Sequence, residues 1–409
     1  MVLAPVLLCS AALVLLSGRD PYWSDWAAEA MPAVSALLDG DLGGFLTNSP
    51  TYGASLLLRA PLFLLADALG AGEDGVFRAG ALLGIGALAA VASYLVAFLR
   101  TSGARRRDLI LSAAVIAGSP IAAKAMDYGH PEELMATALV VAGLILALRG
   151  RAVLAGVALG LAIASKQSAL IAVLPAVAVA PARGRWWVAG LAGGLGLLLV
   201  SPFVLFTETF VGAQSALATA SGQFFHSHQL FWPLGLDAPT DVYLSGRVAP
   251  SWLAPFPRPL IVLLSVPAAA WFARRVRRGL SPPEDVLLLV SLLALGRCLL
   301  DPWNMDYYHL PLIVLLASWE ILERRRPPVL ALGVTAAVWI SYTSLPVRYG
   351  DLVYAVYMAW ALPLAWWGVR TLRNRPRLQV VQLRSAVMLR TNARSVSDTN
   401  VRLPEHRGI

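Results

Sequence analysis

Long apolar runs alternate with short polar segments along almost the whole chain. A bilayer core about 30 Å thick needs roughly 20 helical residues, and about 15 suffice when polar helix ends reach the interface. By this measure the pattern predicts about twelve membrane crossings and an all-α fold, a polytopic membrane helical bundle. The crossings lie near residues 2–17, 76–99, 109–123, 133–148, 152–165, 168–181, 187–205, 258–273, 286–300, 310–322, 328–345 and 351–368.

Arginine residues are concentrated in every second loop between these runs. Lys and Arg in short loops mark the cytoplasmic side of a membrane protein. The pattern therefore predicts a multi-pass protein of the cell membrane with both termini in the cytoplasm. The clusters lie at residues 100–107, 149–151, 183–185, 274–278, 324–326 and 370–377.

The first external loop, about 18–75, is long and only partly polar. It contains an amphipathic pattern near 26–39 and the run SLLLRAPLFLLADALG at 55–70. Counting that run as a crossing would move the arginines at 105–107 to the outside. We therefore interpret it as a re-entrant or interfacial helix that, with the amphipathic helix, elaborates the loop.

The second external loop covers about 206–257 and mixes aromatic residues, histidines and prolines, which is typical of a folded surface loop. After the last crossing the chain becomes polar and rich in Ser, Thr, Asn and Arg. Residues 1–378 thus form one predicted transmembrane domain. Residues 379–409 form a cytoplasmic tail that is predicted to be disordered.

Composition agrees with a membrane protein and limits the classes of partner that we expect. Hydrophobic residues make up 58% of the chain and charged residues only 14%, so much of the surface is suited to lipid. A net charge of +9 is also found in nucleic-acid-binding proteins, but here the arginines occupy the loops of one side. We expect the lipid bilayer, and no nucleic acid, among the partners.

Most acids and histidines fall on the predicted outer side, together with both lysines, Lys124 and Lys166. Arg297 lies near the outer end of its helix, where an ionisable group is a candidate for function. Lys166, Arg297 and His130 could bind a phosphate while a carboxylate faces a neutral hydroxyl. The outer acids and histidines include Asp20, Asp25, Glu29, Asp39, Asp41, Asp127, His130, Glu132, Glu133, His226, His228, Asp301, Asp306 and His309.

Other interpretations of the same residues stay open. Outer loops retain acids partly because Lys and Arg are excluded from them. Arg297 and Asp301, four residues apart, could form a simple salt bridge at a helix end. The stretch DGD at 39–41 resembles a metal-binding motif, which keeps a divalent metal as an alternative, yet its glycine also suits a turn after a helix.

Three stretches resemble the GT-C superfamily of integral-membrane glycosyltransferases, particularly its bacterial mannosyltransferase-like branch. They are SDWAAEAMPAVSALLDGDLGGFL, which is similar to the first-loop acid and helix, GHPEELMATALVVAGLILA, and GVALGLAIASKQSALIAVLP. With the helix layout, the resemblance extends over about residues 1–370.

The resemblance implies transfer of a sugar, mannose first, from a polyprenyl-phosphate donor to a hydroxyl group on the outer face, with inversion. The acceptor would be a glycolipid, a glycan or a protein. Asp25 matches the family's general base, with Asp20 as the alternate. The donor phosphate would be bound by Lys166, Arg297, His130 and His309. Asp127, Glu132, Glu133 and Asp306 would form the acceptor site or a second acidic site.

Two other classes of protein compete with a glycosyltransferase. A transporter or flippase for a lipid-linked or anionic substrate would place ionisable groups near the bilayer midplane on broken helices. Here the spans are clean and the acids gather at one rim, which favours an enzyme. In a membrane scaffold the outer acids would be solvated loop charge, and replacing Asp25 would change nothing.

Overall fold

The computed structural model describes residues 3–16, 25–50, 52–205, 224–237, 246–345 and 349–375. Helices dominate these residues, as the apolar pattern predicts. The first group is α1 (Ala4–Leu16), α2 (Met31–Leu38), α3 (Leu42–Asn48), α4 (Gly53–Ala68), α5 (Gly72–Thr101), α6 (Arg106–Ala117), α7 (Pro120–Asp127) and α8 (Pro131–Leu148). The second is α9 (Ala152–Ser165), α10 (Val173–Val179), α11 (Arg185–Leu205), α12 (Pro257–Arg277), α13 (Val286–Leu300), α14 (Leu310–Leu322), α15 (Val329–Thr343) and α16 (Gly350–Arg373).

Every predicted crossing coincides with helical structure, but not every one is long enough to span a bilayer by itself. Among the described residues, six helices have the length and apolar composition of a membrane span. They are Gly72–Thr101, Arg106–Asp127, Pro131–Leu148, Ala182–Leu205, Pro257–Arg277 and Gly350–Arg373. The protein is therefore an all-α membrane protein, and the count of twelve crossings stays a prediction.

The first predicted external loop is helical where the amphipathic pattern indicates. A π-helical turn, Trp26–Ala30, leads directly into α2, and their buried residues join the main core. The run at 55–70 forms α4, which packs along α5. Its interfacial or re-entrant placement stays a prediction.

Glycines allow α9 and α11 to approach each other closely. Gly156 and Gly160 of α9 lie against α11, where a Cβ at Gly156 would come within 2.7 Å of the Trp187 carbonyl oxygen. Such small-residue faces bring membrane helices together by van der Waals packing. α9 is thereby fixed between α8 and α11.

A small three-stranded antiparallel sheet departs from the purely helical expectation. Its order is β1 (Phe224–Phe225), β3 (Arg247–Val248) and β2 (Leu236–Asp237). It lies within the second predicted external loop, in which 206–223 and 238–245 are outside the described residues. The predicted tail, 379–409, also lies outside them.

Candidate active site

Ionisable side chains from four helices and one connecting segment meet at one end of the bundle. α8 begins there with two consecutive glutamates, whose charge suits the positive end of a helix. α9 ends there at Ser165, and the backbone becomes extended at Lys166 before a 3₁₀ turn, Gln167–Ala172. α4 and α13 contribute Arg59 and Arg297.

Asp25, the predicted general base, lies at the edge of this cluster. Its Oδ2 is 2.9 Å from Nε2 of His130, and Nδ1 of the same ring is 2.7 Å from Oε1 of Glu132. The Asp25 carboxylate is about half exposed, at 48%, whereas His130 and Glu132 are buried. The Asp25 carboxylate is therefore accessible, and the buried His130 imidazole fixes it through Oδ2.

Gly129 allows the two segments to approach. The Asp25 amide donates to the carbonyl oxygen of Tyr128, at 3.1 Å. Gly129 has a φ of +85°, and a Cβ there would lie 2.6 Å from the backbone nitrogen of Trp26. Only glycine combines that conformation with so close a neighbour.

The two glutamates of α8 are paired with three buried cations. Glu132 Oε2 is 3.5 Å from an Arg59 nitrogen, and Glu133 Oε1 is 2.8 Å from an Arg297 nitrogen. Lys166 Nζ lies between them, 3.6 Å from Glu132 and 3.7 Å from Glu133. Charges this deeply buried require such partners. The three cations exceed the two carboxylates by one positive charge.

Tyrosines line the cluster and hold its cations. The Lys166 ammonium lies 5.2 Å from the ring centroid of Tyr52 and 6.0 Å from those of Tyr307 and Tyr308. Tyr52 in turn donates its hydroxyl hydrogen to Glu29, at 2.7 Å. Cation–π contacts of this kind fix an ammonium without neutralising it, so the surplus charge is available to an anion.

The predicted second acidic site is divided between two places. Glu132 and Glu133 belong to the buried cluster. Asp127 lies elsewhere, with its Oδ2 3.9 Å from Nζ of Lys124, and its helix α7 contacts the short 3₁₀ segment that carries Asp306. Burial raises the pKa of Asp306 from its usual 3.8 to about 6, although the hydrogen bond from the Tyr307 amide opposes the change.

His309 lies apart from the other predicted phosphate ligands. Its Nε2 is 2.8 Å from the Tyr357 hydroxyl and its Nδ1 is 2.9 Å from the Asp306 carbonyl oxygen. Burial lowers its pKa to about 4, so the ring is neutral. Both ring nitrogens are thus engaged inside the protein, and a phosphate-binding role for His309 stays a prediction.

The structure also gives the partners of other outer residues. Arg297 pairs with Glu133, while Asp301 instead accepts from the Trp303 amide. The His228 ring stacks on Tyr342 at 3.6 Å, which is a packing role. Asp20, the alternate base, lies outside the described residues.

The DGD stretch serves a helix boundary. Gly40 has a φ of +79°, and Asp41 caps α3 by accepting from the Gly44 amide at 2.8 Å. Across the described part of the chain, no three His, Cys, Asp or Glu side chains are grouped to hold a metal ion. The glycine of the stretch forms the turn after α2, as one of the two interpretations predicted.

Comparison with known families identifies the chain. A model of glycosyltransferase family 87 matches residues 50–302. The chain belongs to glycosyltransferase family 87. This family 87 enzyme is thus a membrane glycosyltransferase of the GT-C type, and a transporter has no support. No curated protein and no solved structure matches the chain.

The family match covers most of the site of the family 87 enzyme. It includes the three buried cations, His130 and both glutamates, whereas Asp25 precedes it and Asp306 follows it. Arg59 was missed by sequence reasoning. It is the one cation inside the apolar run at 55–70, and an ionisable residue in such a run is a recognised signal for a functional or buried pairing role.

Proposed function

We propose that the enzyme transfers a sugar from a polyprenyl-phosphate donor to a hydroxyl acceptor, with Asp25 as the general base. The observation that carries this proposal is the juxtaposition of an accessible carboxylate with a cationic cluster. Asp25 is linked to Lys166 through His130 and Glu132 by contacts of 2.9, 2.7 and 3.6 Å. A base and an anion site thus adjoin at one end of the bundle.

The charge of the cluster favours a phosphodiester donor. A sugar linked to a lipid through one phosphate carries a single negative charge, which equals the one surplus positive charge of the cluster. A nucleotide-sugar diphosphate carries about two and would leave one unpaired. Lys166 is the cation best placed to meet the phosphate, because it is 13% exposed while Arg59 and Arg297 are more deeply buried.

The chemistry follows from these two groups. Asp25 accepts the proton of the acceptor hydroxyl as its oxygen bonds to the anomeric carbon, which can accelerate the step by about 10²- to 10⁴-fold. The bond from that carbon to the phosphate oxygen breaks, and its electron pair leaves with the lipid phosphate. Lys166 stabilises the developing negative charge. A single displacement of this kind inverts the anomeric carbon.

Sidedness and substrate belong to the same proposal. The arginine-rich loops support an active site on the outer face and both termini in the cytoplasm. Mannose is the first candidate sugar, as the GT-C resemblance implies. Glycolipids, glycans and proteins are the candidate acceptors, and 1–378 is the proposed catalytic domain.

The test is label transfer by the full-length protein in lipid nanodiscs. Polyprenyl-phosphate mannose, glucose and arabinose, each radiolabelled, are supplied with native membrane extract as the acceptor source. Wild type should move label from one donor, and Asp25→Asn should lower the rate by about 10²-fold or more. Asp39→Asn, an exposed acid of the same segment, is the matched control and should retain activity.

Three outcomes would each contradict a different part of the proposal. Transfer from no donor would refute the proposed reaction. Undiminished activity in Asp25→Asn, with loss in Asp306→Asn, would move the base to Asp306. Lys166→Met should raise the donor KM, and an unchanged KM would remove Lys166 from the phosphate site.

A further inference from the structure

His130 has a carboxylate at each ring nitrogen. Asp25 lies at Nε2 and Glu132 at Nδ1, both within hydrogen-bonding distance. An imidazolium donates from both nitrogens, whereas a neutral ring can donate from only one. Carboxylate oxygens at both ring nitrogens therefore favour the imidazolium, which can donate to both.

The electrostatics of the site agree with a charged ring. Burial alone would lower the pKa of His130, but the Glu132 charge and the hydrogen bonds to Asp25 and Glu132 raise it above its usual value, despite the nearby Lys166 ammonium. The groups that face His130 are Asp25, Tyr52, Glu132, Lys166 and Tyr307.

The ring is also fixed mechanically. It stacks on Tyr307 with centroids 4.9 Å apart and meets the edge of Tyr52 at 5.6 Å. Glu132, which is fully buried, is itself held by Arg59 and Lys166. Because Glu132 lies in the first turn of α8, the His130 ring is held by a rigid helix rather than by a loop.

We propose that Glu132, acting through His130, is the positioning residue that keeps the Asp25 carboxylate oriented for catalysis. This inference rests on the proposed function, in which Asp25 is the base. During transfer the hydroxyl proton moves to Asp25, while His130 retains both of its protons. The ring aligns Oδ2 of Asp25, and Glu132 supplies the countercharge that holds the ring protonated.

This role replaces the phosphate contact expected for His130 from the sequence. The imidazolium has two N–H donors, and both point to carboxylates. No donor of the ring is left for a phosphate oxygen. Recognition of the donor phosphate then falls to Lys166 and the arginines, and His130 acts on the acceptor side of the reaction.

Glu132→Gln is the decisive variant because glutamine preserves the shape and removes the charge. In the nanodisc assay, kcat and donor KM are measured from about pH 5 to pH 10. We expect kcat to fall about tenfold or more with donor KM within about threefold of wild type. Activity should require the imidazolium, so the alkaline limb of kcat should move to lower pH by about one unit.

His130→Gln supplies the second, independent readout. A glutamine amide can still donate to Asp25 but does not titrate, so the alkaline limb should disappear and kcat should be low at every pH. Glu132→Asp retains the charge and should keep the limb near its wild-type position. Size-exclusion profiles and unfolding temperatures show whether each variant is folded, and Asp39→Asn again serves as the control.

Two results would overturn the inference. A raised donor KM with unchanged kcat in either Glu132→Gln or His130→Gln would assign the pair to phosphate binding. An alkaline limb that persists in His130→Gln would belong to another group. If wild type transfers label and the limb does not move, the positioning role alone fails, whereas absence of transfer in wild type refutes the proposed function itself.

Discussion

Asp306→Asn should stabilise the enzyme at neutral pH and leave it unchanged in acid. The Asp306 side chain is buried, at 4% exposure, and its Oδ1 accepts from the Tyr307 amide at 2.7 Å, a contact that asparagine can keep. Burial outweighs that hydrogen bond and the nearby Lys124 and raises the pKa from 3.8 to about 6, with Asp127 adding to the rise.

The magnitude follows from linkage. One pKa unit corresponds to about 1.4 kcal/mol, so holding Asp306 ionised in the folded protein costs about 3 kcal/mol. Because the folded pKa is raised, folding takes up a proton, and stability falls as pH rises from about 4 to about 6. Below this window the group is protonated in both states and costs nothing. Above it the full cost applies.

The assay is thermal unfolding of detergent-purified protein followed by tryptophan fluorescence, at a pH below 4 and at pH near 7.5. We expect Asp306→Asn to unfold several degrees above wild type at the higher pH and at the same temperature at the lower pH. An equal difference at both values, or a variant less stable than wild type near neutrality, would contradict the reasoning. Asp127→Asn, which is more exposed, should show a smaller effect.

Two further substitutions test the geometry around the site. Gly129→Ala should lower stability by about 1–3 kcal/mol and abolish label transfer, because the added Cβ would push Trp26 and Asp25 away from His130. Gly86→Ala is the control and should change neither stability nor transfer, because a Cβ at Gly86 would have no atom within 4 Å. Asp41→Ala should lower stability by about 1 kcal/mol through loss of the α3 cap, measured by unfolding temperature, and should leave kcat unchanged. If the variant instead loses activity and added Mg²⁺ or Mn²⁺ restores it, the metal interpretation would be favoured.

The positions of the helices could be predicted well from sequence, because apolar runs of membrane length have few structural alternatives. Each predicted crossing falls on helical structure, and the amphipathic pattern near 26–39 became the π-helical turn and α2. Helix length was less predictable. The crossing predicted at 168–181 is not a single α-helix, because the chain forms a 3₁₀ turn, Gln167–Ala172, before α10 begins at Val173. Hydropathy does not distinguish these two kinds of helix.

The members of the site were partly predictable, but their pairing was not. Lys166, Arg297 and His130 were singled out by their predicted depth, and the structure brings them together. The partner of Arg297 is Glu133, 164 positions away along the chain, rather than the neighbouring Asp301. Local spacing favours i, i+4 pairs, and only the packing of α8 against α13 shows that a distant carboxylate lies closer.

The single surplus charge of the buried cluster also bears on what happens after transfer. A lipid phosphodiester carries one negative charge, but the lipid phosphate monoester that remains carries between about 1.5 and 2 near neutral pH. The spent carrier should therefore be held more tightly by Lys166 than the loaded one. Product inhibition would follow, and turnover would be governed by how fast the empty carrier departs.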